Sequence, residues 1–161
     1  MQRSLVRQSR REVIDVPETT RADKSMDMLL KLRKQRIERF EQERRAARVE
    51  WRRQRTELRD LKARRRQALQ DARDFWQRAR EQFFSMVTTS GEYRKAKAIY
   101  ERMKQRAAEL YENCQDAVRR CRTSRTAFFD ACKALNDARR QHEKLGMLRD
   151  EIRLLNRQSE E

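Results

Sequence analysis

Few side chains here carry chemistry of their own. Cys114, Cys121 and Cys132 are the only thiols and His142 the only imidazole in 161 residues. Together such groups would mean zinc or redox chemistry, but a closed zinc site needs four ligands at short, paired spacings. Cys114 and Cys121 stand seven residues apart, and no CxxC and no second histidine completes a set. A thiol recurring after seven residues is instead what small apolar side chains on one helix face look like. His142 falls on the same face and reads as a core or boundary residue, with a pH-sensitive contact as the alternative. The sequence also has no glycine-rich phosphate loop, HExxH or GxSxG. The expectation is a protein that is not an enzyme, with no catalytic, metal or cofactor-binding residues.

What remains is the chemistry of arginine. Lys and Arg number 42 against 26 Asp and Glu, a net charge of +16. Such an excess predicts affinity for something anionic: nucleic acid, a membrane surface or an acidic protein face. If the chain reverses near residues 88 and 89, Arg52, Arg53, Arg55 and Arg59 come to lie opposite Arg119, Arg120, Arg122 and Arg125. Like charges so close cost a few tenths of a kcal/mol per exposed pair, so this basic shaft band is expected to meet an acidic partner.

The elements that position these groups follow from composition and period. Charged residues make up 42% and apolar ones 37%, and two glycines and one proline leave little to interrupt a helix. Alternating steps of four and three from Met26 to Met86 meet 13 apolar residues in 18 positions, where this composition would give about seven by chance. Leu69, Trp76 and Phe83 form a second row one residue along, the drift of a 3.6-residue helix against a 3.5-residue repeat. From Tyr93 to Ile152 the same steps meet 15 apolar residues in 18 positions, Cys114 and Cys121 among them, with Ser124, His142 and Arg149 the exceptions. Between the two runs lies VTTSGEY, in which Thr89 and Glu92 have the spacing of a capping box.

The predicted fold is therefore all-α: a long antiparallel two-helix coiled-coil hairpin over 26–158, with a helix over 26–86, a turn at 87–91 and a helix over 92–156. Phe75, Trp76, Phe83, Phe84, Met86, Val87, Tyr93, Ile99 and Tyr100 crowd the turn. They exceed what two helices can bury, so a docking tip is expected there. Residues 1–25 hold the only proline, Pro17, and no sustained helical period, and read as a flexible basic N-terminal arm. Within the arm, residues 13–16 have the composition of a short strand, and Leu5 and Val6 offer little apolar face for a lipid surface. The arginine-rich start leads into no apolar run, and no stretch has the ~20 apolar residues that span a bilayer. A cytoplasmic chain with no membrane span is expected.

An all-helical basic chain that opens its first helix with Met28-Leu29-Leu30-Lys31-Leu32-Arg33-Lys34-Gln35-Arg36, and breaks centrally before an aromatic second helix, resembles the FliJ/YscO family. These are stalk proteins of flagellar export and type III secretion. The resemblance covers residues 26 to about 155 and is one of architecture and pattern, without a catalytic motif. It implies a fold like the coiled coil of the rotary-ATPase γ subunit, seated in a hexameric export ATPase and bridging it to the cytoplasmic domain of the export gate. It also implies contact with export chaperones and a cytoplasmic location at the inner-membrane base of the apparatus. Carried onto this chain, the gate-binding tip would comprise Phe83, Phe84, Met86, Tyr93 and Tyr100. The contact with the ATPase ring would comprise Leu29, Leu30, Leu32, Arg33, Arg36, Leu148, Ile152 and Leu155. The competing expectation is a basic nucleic-acid-binding coiled coil, which the interleaved acidic residues and the lack of any nucleic-acid-binding signature count against.

Overall fold

The structure, a computed structural model, describes residues 21–160, with side chains over 24–159. Two helices account for nearly all of it: α1 (Arg21–Phe84) and α2 (Ser90–Glu160). They pack against each other, and there is no strand among the described residues. At 1.5 Å per residue each helix is about 100 Å long. The short strand considered for residues 13–16 lies outside the described residues, as does most of the arm expected over 1–25. The last five residues of that arm belong to α1, because its helix starts at Arg21.

The break between the helices is built from two caps, and it sits nearer the N-terminus than the turn expected at 87–91. α1 stops at Phe84 because the backbone swings at Met86 to a φ of 56°. The Val87 N–H then donates to the Gln82 carbonyl at 3.1 Å and the Met86 N–H to the Phe83 carbonyl at 3.0 Å. That is the Schellman pattern, in which a left-handed residue satisfies the last carbonyls of a helix. α2 starts at Ser90 because Thr89 is its N-cap. The Thr89 N–H donates to Glu92 Oε2 at 2.7 Å, and the Glu92 N–H donates to Thr89 Oγ1 at 3.3 Å. The first helical bond, from the Tyr93 N–H to the Thr89 carbonyl, is 3.0 Å long. Glu92 is thus already inside the helix as the third residue of the capping box, which places the start two residues before position 92. Gly91 occupies this first turn, and α2 runs unbroken through Gly146.

The seam is where the period places it. Every seam position from Met26 to Ala79 on α1 is buried or half-buried, and so is every one from Tyr93 to Ile152 on α2, whereas the last two positions expected on α1's side, Gln82 and Met86, are exposed because the helix ends at Phe84. Leu69, Trp76 and Phe83, the drifting second row, are half-buried too. The most buried members are small, with Ala72, Ala107, Cys114, Ala117 and Ala138 letting the backbones approach, and Leu135 is the largest fully buried side chain. Polar seam residues are absorbed across the interface. Arg33 Nη1 donates to the Gln141 carbonyl at 2.8 Å, and buried Gln54 donates to Glu50 at 2.7 Å and accepts from Arg120 at 3.4 Å.

Cross-helix contacts fix which parts of the helices meet. Asp27, near the start of α1, pairs with Arg149 and Arg153 near the end of α2, and Glu41 pairs with Arg139. Midway, Glu57 pairs with Arg120, and Trp51 stacks on Phe128. At the break, Trp76 and Phe83 meet Tyr100 and Tyr93.

Spacing alone suggests the i,i+4 pairs Glu41–Arg45, Asp60–Arg64, Asp74–Arg78 and Asp116–Arg120, and these carboxylates take other partners. Glu41 takes Arg139 rather than Arg45, Asp116 takes Arg119 while Arg120 reaches Glu57, and Asp74 accepts from the Gln70 amide. Asp60 has Arg59 at 3.7 Å rather than Arg64. The partner taken is a guanidinium across the seam for Glu41, one three residues on for Asp116, the adjacent guanidinium for Asp60 and an amide one turn earlier for Asp74, on exposed faces where i,i+4 pairs are worth only a few tenths of a kcal/mol.

The capping box and the Glu41 pair make the fold acid-sensitive. The carboxyl of Glu92 is held below the usual range by the hydrogen bonds from Thr89, and that of Glu41 by the hydrogen bond from Arg139. Lowered folded values mean that the contribution of both groups is complete above the ordinary carboxylate range and is lost as pH falls through those values. The melting temperature should therefore drop between neutral pH and about pH 3, and drop less in a Glu41→Gln/Glu92→Gln variant, as followed by circular dichroism.

Candidate docking surfaces

At the break, aromatic packing divides the expected tip residues into two groups. Phe83 stacks on Tyr93 at 4.3 Å between centroids, Trp76 stacks on Tyr100 at 4.9 Å, and Trp76 meets Tyr93 at 5.5 Å. This ladder half-buries Phe83, Tyr93 and Tyr100 and makes them the bolt that joins the helix ends. Phe84 and Met86 face outward instead, at 72% and 93% exposure, with Val87 beside them. Trp76, the centre of the ladder, is absent from the expected tip set, although its place in the drifting second row points to such a role. Shallow grooves of about 440 and 410 Å³ flank the ladder, the first lined by Phe75, Tyr93 and Ile99 and the second by Trp76, Phe84 and Tyr100.

The opposite end shows a similar division. Leu30, Arg33 and Ile152 are half-buried in the seam, whereas Leu29, Leu32, Leu148 and Leu155 are exposed, joined by Met28, Met147 and Leu154. Arg36 is exposed, with its guanidinium over the Phe40 ring at 5.3 Å. Asp27 clasps this end through Arg149 at 3.2 Å and Arg153 at 3.3 Å, and the hydrogen bonds to Asp150 and then to Asp27 hold the Arg149 guanidinium above its usual pKa.

Along the shaft, the eight arginines of the basic band do not share one environment. Arg53, Arg59, Arg119 and Arg120 each have a carboxylate within 4 Å: Glu50, Asp60, Asp116 and Glu57. Arg52, Arg55, Arg122 and Arg125 have none among the described residues. Arg55 lies over the Trp51 ring at 5.5 Å and Arg125 over the Phe129 ring at 5.7 Å. A groove of about 880 Å³ runs between these residues, walled by Arg52, Arg55, Arg59 and Lys62 of α1 and by Arg125 of α2. Its floor is Trp51, Leu58, Cys121 and Phe129.

The three thiols and the imidazole all lie on α2. Cys114 is a buried free thiol and Cys121 and Cys132 are half-buried ones. His142 is half-buried, with its Nδ1 lacking a hydrogen-bond partner. No cluster of three or more histidine, cysteine or acidic side chains able to hold a metal occurs among the described residues. No helix there is long and apolar enough to cross a membrane.

Comparison with known proteins finds no match: no family model, no curated protein and no solved structure matches the chain.

Proposed function

We propose that this chain is a central stalk of a type III secretion export apparatus, of the FliJ/YscO kind. Its two helices form an antiparallel coiled-coil hairpin, and this links a hexameric export ATPase to the cytoplasmic domain of the export gate. The observation that carries the reading is that apolar side chains are exposed at both ends of one long shaft. Phe84, Met86 and Val87 are exposed at the break, and Met28, Leu29, Leu32, Leu148, Leu154 and Leu155 at the far end. Exposed apolar clusters on a slender protein mark docking sites, and a rod with one at each end is built to connect two partners. The order of the cross-helix pairs supports the hairpin. A cytoplasmic place at the inner-membrane base and contact with export chaperones belong to the same reading.

The gate-binding tip is narrowed here to Phe84 and Met86, since Phe83, Tyr93 and Tyr100 are spent on the ladder. Met86 holds a left-handed conformation that costs an L-residue about 1–2 kcal/mol and that glycine adopts freely. A bulky exposed side chain kept at a strained position points to a use outside the fold. Met86→Gly should raise stability by about 0.5–1 kcal/mol, after the added unfolded-state entropy of glycine, while weakening capture of the gate domain. Denaturant unfolding and a pull-down on the same variant check both. The whole reading is tested by co-purification with the hexameric ATPase and with the gate domain. Phe84→Ala/Met86→Ala should abolish only the second interaction, and Leu148→Ala/Leu155→Ala only the first. Loss of neither would contradict it.

A further inference from the structure

We propose that the groove midway along the shaft is a docking site for an acidic amphipathic helix of a partner protein, laid along the two helices as a third strand of the bundle. This site is distinct from both ends and does not rest on the stalk reading. Arg52, Arg55, Arg59 and Lys62 follow steps of three, four and three, so they form one straight stripe along about 15 Å of α1. Arg125 faces them from α2, and no carboxylate lines the space between. The carboxylates of this part of α1 are sorted to the other side, where Glu57 and Asp60 share a second groove with Arg53 and Arg64. Among the described residues, Arg52, Arg55, Lys62 and Arg125 pair with no carboxylate. Of the stripe only Arg59 has a carboxylate near it, Asp60 at 3.7 Å, so most of its positive charge is left uncompensated inside the chain, and a concave site between low-dielectric walls focuses the field.

The floor decides what kind of anion fits. The Trp51 ring carries Phe128 stacked on it at 5.3 Å and the Arg55 guanidinium at 5.5 Å, and the Phe129 ring carries Arg125 at 5.7 Å. Nucleobases bind single-strand grooves by stacking on free aromatic faces, and here those faces carry guanidinium groups of the same chain. A guanidinium held over a ring can still donate from its N–H groups to a carboxylate, often with two parallel bonds. Beneath the cations, Leu58 is half-buried and Phe129 is 51% exposed, an apolar strip narrow enough for one helix face. A helix with leucine-type residues along one strip and carboxylates on both margins satisfies strip and walls together. A nucleic-acid backbone would leave the apolar floor unused.

Trp51 itself reports on occupancy. The chain has two tryptophans, so Trp76→Phe leaves Trp51 as the only one. The probe is a capped synthetic peptide of about 18 residues, long enough to exceed the groove, built from leucine, alanine and glutamate with glutamates on both margins of a leucine strip. Titration into the Trp76→Phe protein should give a saturable shift of Trp51 emission that weakens with salt. Adding Arg52→Glu, Arg59→Glu and Lys62→Glu should lower the affinity about tenfold or more. Arg125→Glu alone, on the other helix, should act in the same direction, whereas Arg64→Glu on the mixed-charge face should not. Circular dichroism shows whether each variant keeps its helix, and the single Arg125 variant carries the test if the triple one does not. Four results would overturn the proposal: no shift with the glutamate peptide, an equal shift with lysine replacing every glutamate, affinity unchanged by the charge reversals, or tighter binding of an oligothymidylate of about 20 nucleotides at equal ionic strength.

Discussion

Leu135→Ala is expected to destabilise the shaft by about 3 kcal/mol, within the range of about 2–5 kcal/mol for leucine truncations in a core. Leu135 is 2% exposed and is the largest side chain the two helices bury completely. Most of its buried companions are alanines, which have no longer side chain to swing into the void. The lost transfer free energy and the residual cavity therefore add, and a two-helix protein has few other large buried groups to offset them. Urea unfolding followed at the helical band of the circular dichroism spectrum measures the loss. A cost near zero would mean that Leu135 is not enclosed between α1 and α2.

Ala117→Glu should be at least as damaging, by about 3–5 kcal/mol at neutral pH, the range for an uncompensated buried charge. Ala117 is 0% exposed, so its methyl group touches the facing helix with no room for solvent. A carboxylate there must either stay buried without a partner or push the helices apart over several turns. Desolvation would raise the pKa of the new carboxyl. With the folded value above the unfolded one, the penalty is greatest above the folded value and shrinks as pH falls toward the unfolded value, a sign opposite to that of Glu41 and Glu92. The two effects separate by comparing the variant with the parent chain at each pH. Gln in place of the new Glu should remove the pH dependence and keep much of the steric cost.

Why these two positions could be located from sequence, while much of the docking surface could not, has a physical reason. A seam is a one-dimensional property: a side chain on the 3.5-residue period faces the partner whatever the register, so Cys114, Ala117 and Leu135 could be placed by counting. The capping box is equally local, since Thr89 and Glu92 need only each other. The left-handed turn is not legible, because a methionine at position 86 gives no sign of positive φ, and helix propensity alone carries α1 past its true end. The division of the tip also escapes counting. Phe83 and Phe84 are chemically alike neighbours, and only the 100° between successive residues, fixed by register, turns one into the ladder and the other to solvent. The sorting of shaft arginines into paired and unpaired sets depends on cross-helix rotamers, which is why Arg119 and Arg125 look equivalent in sequence and differ in the fold.

Both docking ends and the shaft groove require that the helices lie side by side as one long rod. Small-angle X-ray scattering of the full chain tests it most directly. The scattering should give a rod about 100 Å long with the cross-section of two helices, about 20 Å. A rounded particle of about 50 Å, or a rod near 200 Å with the cross-section of a single helix, would contradict it.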